Sequence, residues 1–475
     1  MPQVGSSHNA TGDIIATTAR EALENFLRER RHAKDLIEDV DAFERRMHQV
    51  FAAAEAEAMA AELARFDVDV PAVKVDGVVY RRVLRSSEEY LASSGPMRIE
   101  RTLYSSREKG ERTICPMELR AGVVEGRWTP QAAKQAVWVV AHMTPYEGAD
   151  FFALLGGMTP SKSSLDRLPK QVSERWEGNR VELEQQLRAG EDVPKAAASV
   201  MVSLDGVMVP LKDGARSEKR AAAVAQGKMP SGPAGFGEAG CGTLTFFDAE
   251  GERLRTIRWG RMPLRKKATL KTMLVAELLT ILAARPDLLL VKVADGVDDN
   301  WEFLTRDLPA GEEAVDYFHA VENLHKAIVA AFGESSPEGQ AQFRKLRHLL
   351  RDDSSGVEKV IRALLHMRTK YPRRRQIANA VAYFRAHRGR MRYAELRARN
   401  LPIGSGVTEA ACKTLATQRL RRSGMKWGED GGQAVLTFRS LAQSDRFERG
   451  WRLVHASYVA DVEAHNVVAF RKRAA

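Results

Sequence analysis

Three acidic residues stand at the ends of short, strongly patterned segments: Asp205 in SVMVSLDGVMVP, Asp295 in DLLLVKVADG and Glu409 in LPIGSGVTEAACK. The first two close apolar runs with the composition of buried strands, and the third falls where a helix starts. Carboxylates are hard oxygen ligands, and Mg²⁺ accepts them while keeping much of its water. Three of them on rigid elements therefore make a site for divalent metal. Two such ions about 4 Å apart activate an attacking oxygen and steady the leaving oxygen of a phosphodiester. The chemistry indicated is metal-dependent phosphoryl transfer on nucleic acid, with two Mg²⁺ (or Mn²⁺) ions as cofactors and Asp205, Asp295 and Glu409 as their ligands. An Asp followed by Gly is also an ordinary turn signal, and a chain with 62 acidic residues offers many accidental triads. The order of the surrounding elements adds the weight that each residue alone lacks.

Residues 199–209 read as a buried strand, and 241–248 and 252–260 as two more joined by the hairpin loop AEG. A helix over 268–285 follows, stopped by Pro286. The continuous apolar run 288–295 suits a parallel strand covered on both faces. A short helix near 298–306, a strand near 314–318 and a helix over 319–332 complete the series. Strand-strand-strand-helix-strand-helix-strand-helix is the order of the ribonuclease-H-like fold, whose first and fourth strands lie side by side, so Asp205 and Asp295 become neighbours. Asp298 and Asp299 compete with Asp295 as ligands, but they look like the cap of the next helix whereas Asp295 ends the strand. In GSGVTEAACK, Gly404 and Gly406 allow a tight start, Ser405 or Thr408 supplies a cap, and Glu409 sits in the first turn, where backbone N–H groups also favour phosphate.

The 475 residues carry a formal charge of +11, yet residues 341–428 hold 22 Lys/Arg against 5 Asp/Glu, a local +17 that leaves −6 for the rest. RKLRHLLR, YPRRRQ, FRAHRGRMRY and TQRLRRSGMKW lie in this block, which has the density expected of a phosphate-tracking surface. Arg373, Arg374 and Arg375, together with Lys413, Arg419, Arg421, Arg422 and Lys426 after Glu409, are the predicted contacts to double-stranded DNA. Within the same block, 336–400 is helical in pattern and reads as an insertion that either clamps DNA or meets a partner subunit. Cys115, Cys241 and Cys412 match no zinc spacing, and neither a membrane-length apolar run nor a secretory signal is present, so a soluble, cytoplasmic protein of a reducing compartment without a membrane partner is expected.

The N-terminal part is patterned for recognition. Residues 1–12 are polar and expected to be disordered, and 13–66 reads as charged helices with apolar Leu23, Phe26, Leu27, Ile37, Val40, Phe43 and Met47, forming a coiled arm or a dimer contact. VVYRRVL (78–84) and RIERTLY (98–104) suggest a small sheet. Residues 129–168 have helix-turn-helix character, broken at Gly156-Gly157, and Lys162 and Arg167 open the helix that would enter the major groove; a helical linker is the alternative. The predicted fold class is α/β: a ribonuclease-H-like catalytic core with an all-helical insertion, preceded by a mainly helical N-terminal DNA-binding region. The segments are an arm (1–66), a β-rich region (67–128), a helix-turn-helix-like region (129–195), the first part of the core (196–335), the insertion (336–400), and the catalytic helix with a C-terminal helical region (401–475).

SLDGV, VADGVDDNWEFL, DYFHAVENLHKA and above all NLPIGSGVTEAACKTLATQRLRRSGMKW resemble segments of bacterial insertion-sequence transposases of the DDE type, closest to the ISKra-type group. The resemblance spans about residues 70–445. It implies that Asp205, Asp295 and Glu409 are the catalytic carboxylates and that Asp316 and His319 form an Asp-x-x-His signature, His319 either orienting the active-site wall or filling a polar gap in the core. It further implies a homo-oligomer, at least a dimer, acting on transposon ends and target DNA. A non-catalytic DNA-binding regulator descended from such an enzyme and a metal-dependent endonuclease are the alternatives.

Overall fold

A computed structural model of the chain describes residues 21–22, 24–33, 37, 39–106, 113–212, 214–230 and 235–465, with the backbone alone at 214–218. Residues 1–12 and Leu23 lie outside the described residues. The chain is mixed α/β with two sheets and divides into two units, Met1–Leu183 with Glu448–Ala475, and Glu184–Phe447.

In the first unit, α1 (Val40–Ala64) starts at Asp39, whose side chain accepts the Ala42 N–H at 3.0 Å. It lies on a sheet of β1 (Ala72–Val75), β2 (Val78–Ala92) and β3 (Gly95–Ser105). Strand order is β3-β2-β1, and a two-residue C-terminal strand, Glu463–Ala464, pairs with β1. The β2–β3 hairpin is much longer than the two strands read from the sequence. The middle of β2 is exposed on both sides, so its register rests on backbone hydrogen bonds and leaves no alternating apolar signal. Three helices follow, α2 (Pro130–His142), α3 (Pro145–Leu155) and α4 (Lys162–Gly178), capped by Thr129, Thr144 and Ser161. Thr144 and Glu147 form a reciprocal capping box, and Gly156 leaves α3 at φ 69°.

The C-terminal segment corrects the expected 401–475 grouping. Residues 448–465 belong to this unit: Tyr458 donates to Glu125 at 2.7 Å, Arg175 to the Ser457 carbonyl at 2.6 Å, and the His455 ring meets the Gly122 carbonyl at 3.0 Å. These contacts join residues more than 280 apart in sequence, which no local pattern announces.

The second unit is built on a five-stranded sheet: β4 (Ser199–Pro210), β5 (Phe236–Phe247), β6 (Arg253–Arg261), β7 (Leu289–Ala294) and β8 (Glu312–Val315), in the order β6-β5-β4-β7-β8. The first three are mutually antiparallel, whereas β4–β7 and β7–β8 are parallel. α5 (Ala268–Ala284) links β6 to β7 and covers one face, where Leu270, Leu274 and Leu278 meet Val200, Val202, Leu204 and Phe246. On the other face Met201, Val291, Val293 and Ala314 pack with Leu396, Leu401 and partly buried Val407. α6 (Asp298–Arg306) joins β7 to β8, and α7 (Tyr317–Phe332) leaves β8. Residues 336–400 are helical as expected, with α8 (Pro337–Asp352), α9 (Gly356–Lys370) and α10 (Arg375–His387) continuing the core through Leu346, Leu364 and Phe384. After this insertion comes α11 (Gly406–Ala411), followed by a π-helical turn, Cys412–Thr417, and later α12 (Glu429–Gln443). A helix at Gly214–Ala225 has no counterpart in the sequence reading. Among the described residues no helix is long and apolar enough to cross a membrane.

Candidate metal centre

The register of the parallel strands carries the acidic residues into line. Ser199 to Val202 pair with Leu289 to Lys292, so three residues further on Asp205 stands level with Asp295. Ala294 pairs with Val315, which sets Asp295 level with Asp316, whose N–H donates to the Ala294 carbonyl at 2.8 Å. Strand alternation places these three on the face that also holds Met201, Val293 and Ala314. That is the face on which α11 lies, where Thr408 and Thr243 share a hydroxyl hydrogen bond at 2.7 Å in the core. One residue beyond Thr408, Glu409 emerges half-exposed at the same end of the sheet.

Each carboxylate is oriented by its own neighbours. Asp205 accepts the Gly206 N–H at 2.7 Å through Oδ1, and the Cys412 thiol, one turn beyond Glu409, lies 3.7 Å from its Oδ2. A Cβ at Gly206 would meet the half-exposed Glu238 side chain. Asp295 Oδ1 accepts from the Val297 N–H at 3.2 Å and the Asn300 amide at 3.0 Å. Asp299 is paired with Lys271 at 2.7 Å, and the N-cap of α6 is Val297, so Asp298 and Asp299 sit in its first turn and do not cap it.

The tightest assembly is not the triad expected from the sequence. Asp316, His319 and Glu409 bring ligand atoms within 4.8 Å of one another and could hold a metal ion, and among the described residues no such group includes Asp205 or Asp295. His319 Nε2 lies 3.6 Å from Glu409 and its Nδ1 3.8 Å from Glu322. It is the backbone N–H of His319, at 2.9 Å, and not the ring, that Asp316 accepts. The other Asp316 oxygen accepts the Ser405 N–H and hydroxyl, so both oxygens of this fully buried carboxylate are engaged. Ser405 thus bonds to Asp316 and Thr408 to Thr243, and neither side chain caps α11. Burial raises the Glu409 pKa, the Asp316 and Asp205 charges raise it further, and His319 opposes them.

No protein-family model matches the chain, and no curated protein matches it significantly. Function therefore has to be read from geometry and chemistry.

Two residues that sequence reasoning missed complete the site. Tyr383 and His387 on α10 cover the Asp295-Gly296 turn, so closely that a Cβ on Gly296 would meet both rings. The Tyr383 hydroxyl and His387 Nδ1 are buried without a hydrogen-bond partner. Burial first, and then the Asp295, Asp316 and Glu322 charges, push the Tyr383 hydroxyl well above the usual phenol range. Burial, followed by Arg390, lowers the His387 pKa. Nothing in VAYFRAH distinguishes these residues from an ordinary amphipathic helix.

The basic residues divide. Arg373, Arg374, Arg375, Lys413, Arg421, Arg422 and Lys426 are exposed, as are Lys162 and Arg167 on α4, with Lys162 Nζ 3.4 Å over the Tyr146 ring. Arg419 is a correction: it is 1% exposed, 5.0 Å over the Trp427 ring, and faces no solvent. The side chain lies where the π-helical turn rotates the helix face inward. Other members of the basic block close the insertion onto the core, Arg390 pairing with Glu313 and Arg392 with Glu312, each at 2.8 Å.

Proposed function

We propose that Glu184–Phe447 is a ribonuclease-H-like nucleotidyl transferase core and that the chain is a DDE-type transposase acting on double-stranded DNA. The reading rests on the strand order β6-β5-β4-β7-β8, with Asp205, inside β4 and not at the strand end expected of it, level with Asp295 just after β7 on the adjacent parallel strand, and Glu409 on a helix across the same face. The donor set fits hard divalent cations, since all three groups offer carboxylate oxygens and none is soft. Asp205, Asp295 and Glu409 would hold Mg²⁺ or Mn²⁺, which supplies charge neutralisation and a water acidic enough to attack a phosphodiester. The Gly206 N–H and the Cys412 thiol hold Asp205, while Val297 and Asn300 hold Asp295. Asp316 acts as a clamp tying the start of α7 to Ser405 at the start of α11, which fixes Glu409. His319 places its ring Nε2 3.6 Å from Glu409. In this reading the exposed arginines of 373–375 and the residues after Glu409 track DNA phosphates, α4 reads the terminal inverted repeats, and the protein works as a homo-oligomer, at least a dimer.

The test is to incubate the protein with Mg²⁺ and DNA carrying the element's own ends, then resolve cut and joined products. Asp205→Asn, Asp295→Asn and Glu409→Gln should each abolish cutting and leave DNA binding largely intact. Any of the three that cuts at a near wild-type rate removes its residue from the triad. A second reading, a single-ion endonuclease centred on Asp316, His319 and Glu409, is favoured by the closeness of those groups. It requires DNA that is cut but never joined, and cleavage that survives Asp205→Asn.

A further inference from the structure

A cleft of about 960 Å³ opens beyond Pro210, the C-terminal end of β4. Lys212, Lys219, Arg220, Lys228 and Arg265 line it. Of the two acidic residues on its wall, Glu238 and Glu429, the first is already paired with Lys267 at 3.2 Å. Cationic charge is therefore in clear surplus. Its surface is also part aromatic and part aliphatic: Trp427 lines it, as do Met229, 96% exposed, and Leu264. Trp427 is fixed in place by its backbone, whose N–H donates to the Pro210 carbonyl at 3.0 Å and whose carbonyl accepts from Lys212 at 2.8 Å. Its indole N–H donates to the Leu420 carbonyl at 2.9 Å. Glu238 on the wall lies over Gly206, on the face of β4 opposite to the Asp205 side chain, and Leu211 stands, at about 3.3 Å per residue, roughly 20 Å along β4 from Asp205.

A ligand for this surface needs several negative charges on one side and flat apolar faces on the other. Duplex DNA presents phosphates but buries its base faces, whereas an unpaired strand offers both. We propose that the cleft holds an unpaired strand of the same DNA whose phosphodiester lies at Asp205 and Glu409. The proposal rests on the phosphoryl-transfer reading of that site.

The experiment measures binding by the full chain in EDTA, so that no cutting occurs, using fluorescence anisotropy. The probes are a blunt duplex, the same duplex with a single-stranded DNA overhang, and the latter with an RNA overhang. The DNA overhang should strengthen binding about five- to tenfold over the blunt duplex. Lys212→Gln/Lys228→Gln, at two exposed positions, should erase most of this gain and leave the blunt duplex unaffected. It should also flatten the salt slope for the overhang by about 1.4, from two lost single-strand contacts of roughly 0.7 each. Trp427→Ala should erase the gain as well; if its lost indole contacts to Leu420 and Arg419 unfold the chain, the double lysine variant decides. The cleft assignment falls if the double variant keeps the overhang gain, if it weakens blunt and overhang duplexes equally, if the RNA overhang binds more tightly than DNA, or if polyglutamate of matched charge displaces the overhang as well as an oligonucleotide does. An intact overhang gain without any Mg²⁺-dependent cutting rejects the phosphoryl-transfer reading alone, and normal cutting without the gain rejects the cleft alone.

Discussion

Replacing Asp316 by Asn separates a clamp from a ligand. Oδ1 accepts the His319 N–H at 2.9 Å, and Oδ2 accepts two donors, the Ser405 N–H and the Ser405 hydroxyl at 2.7 Å. An amide with its oxygen toward Ser405 keeps both Ser405 bonds, now to a neutral acceptor, and turns an N–H₂ group toward the His319 N–H donor. Hydrogen bonds to a charged acceptor contribute about 1.5–3 kcal/mol each and neutral ones about 0.5–1.5, so losing one and neutralising the acceptor of two costs about 3–6 kcal/mol. Removing the Asp316 charge that raises the Glu409 pKa offsets part of this, leaving about 3 kcal/mol of net destabilisation. At roughly 2–4 °C per kcal/mol for a unit of this size, the melting temperature should fall by about 6–12 °C. Urea and thermal unfolding without metal measure this directly, with Asp295→Asn as the comparison. Asp295 is half-buried and its Oδ1 can be kept by an amide, so the cost there should stay within about 1 kcal/mol. An Asp316→Asn protein with wild-type stability but lost metal affinity would refute the clamp and make Asp316 a ligand.

The remaining expectations address charge, the insertion and DNA. Because the folded Glu409 pKa is raised, stability is fully present below the ordinary Glu value of about 4.3 and is lost as pH rises through the raised value; Glu409→Gln should therefore be more stable than wild type at pH 7 and equal to it near pH 4 by urea titration. Tyr383→Phe removes a buried hydroxyl that has no partner and keeps the ring over Gly296, so it should leave the urea midpoint unchanged or raise stability by up to about 1 kcal/mol; a clear loss of stability would mean that the hydroxyl is bonded. Neutralising Arg373, Arg374 and Arg375 together should weaken binding to all duplexes alike and flatten the salt slope by about 2.7; an unchanged slope assigns the cluster to solvent or a protein partner. Lys162→Ala with Arg167→Ala should reduce preference for terminal-repeat over scrambled DNA as well as affinity, and equal loss on both DNAs would take end-reading away from α4.

What could be read in advance followed local pattern. β4, α5, β7 and α6 fall within a few residues of their expected bounds, because each has an apolar period or run ended by Pro, Asp or Gly. The expected adjacency of the first and fourth strands, taken from the ribonuclease-H-like order, puts Asp205 beside Asp295, and β4 and β7 do pair in parallel. What escaped depends on distant partners. Asp316 looked like part of an Asp-x-x-His signature, but its role as a buried clamp depends on Ser405, 89 residues away. Arg419 has the sequence surroundings of a DNA contact, and only the π-helical turn and Trp427 show that it is buried. The Tyr383 and His387 positions become special only because α10 is folded over Gly296.

The long gap between β8 and Glu409 poses a positional problem that the structure solves without help from sequence neighbours. A catalytic carboxylate has to be held to within a fraction of an ångström, yet the insertion separates α11 from α7 by some seventy residues of chain. The sheet itself supplies the anchors. Thr243 on β5 bonds to Thr408, Asp205 on β4 receives the Cys412 thiol, Asp316 after β8 takes both donors of Ser405, and the Tyr317 N–H donates to the Ile403 carbonyl at 2.9 Å. These contacts come from three strands and bracket Glu409 from both sides along the chain. The hold on Glu409 therefore depends on the loop 401–405 and its bond to Asp316 more than on the helices of 336–400. The same arrangement explains why α10 can add Tyr383 and His387 to the site from above: they contact the Asp295-Gly296 turn, not α11, and so bear on Asp295 independently of Glu409.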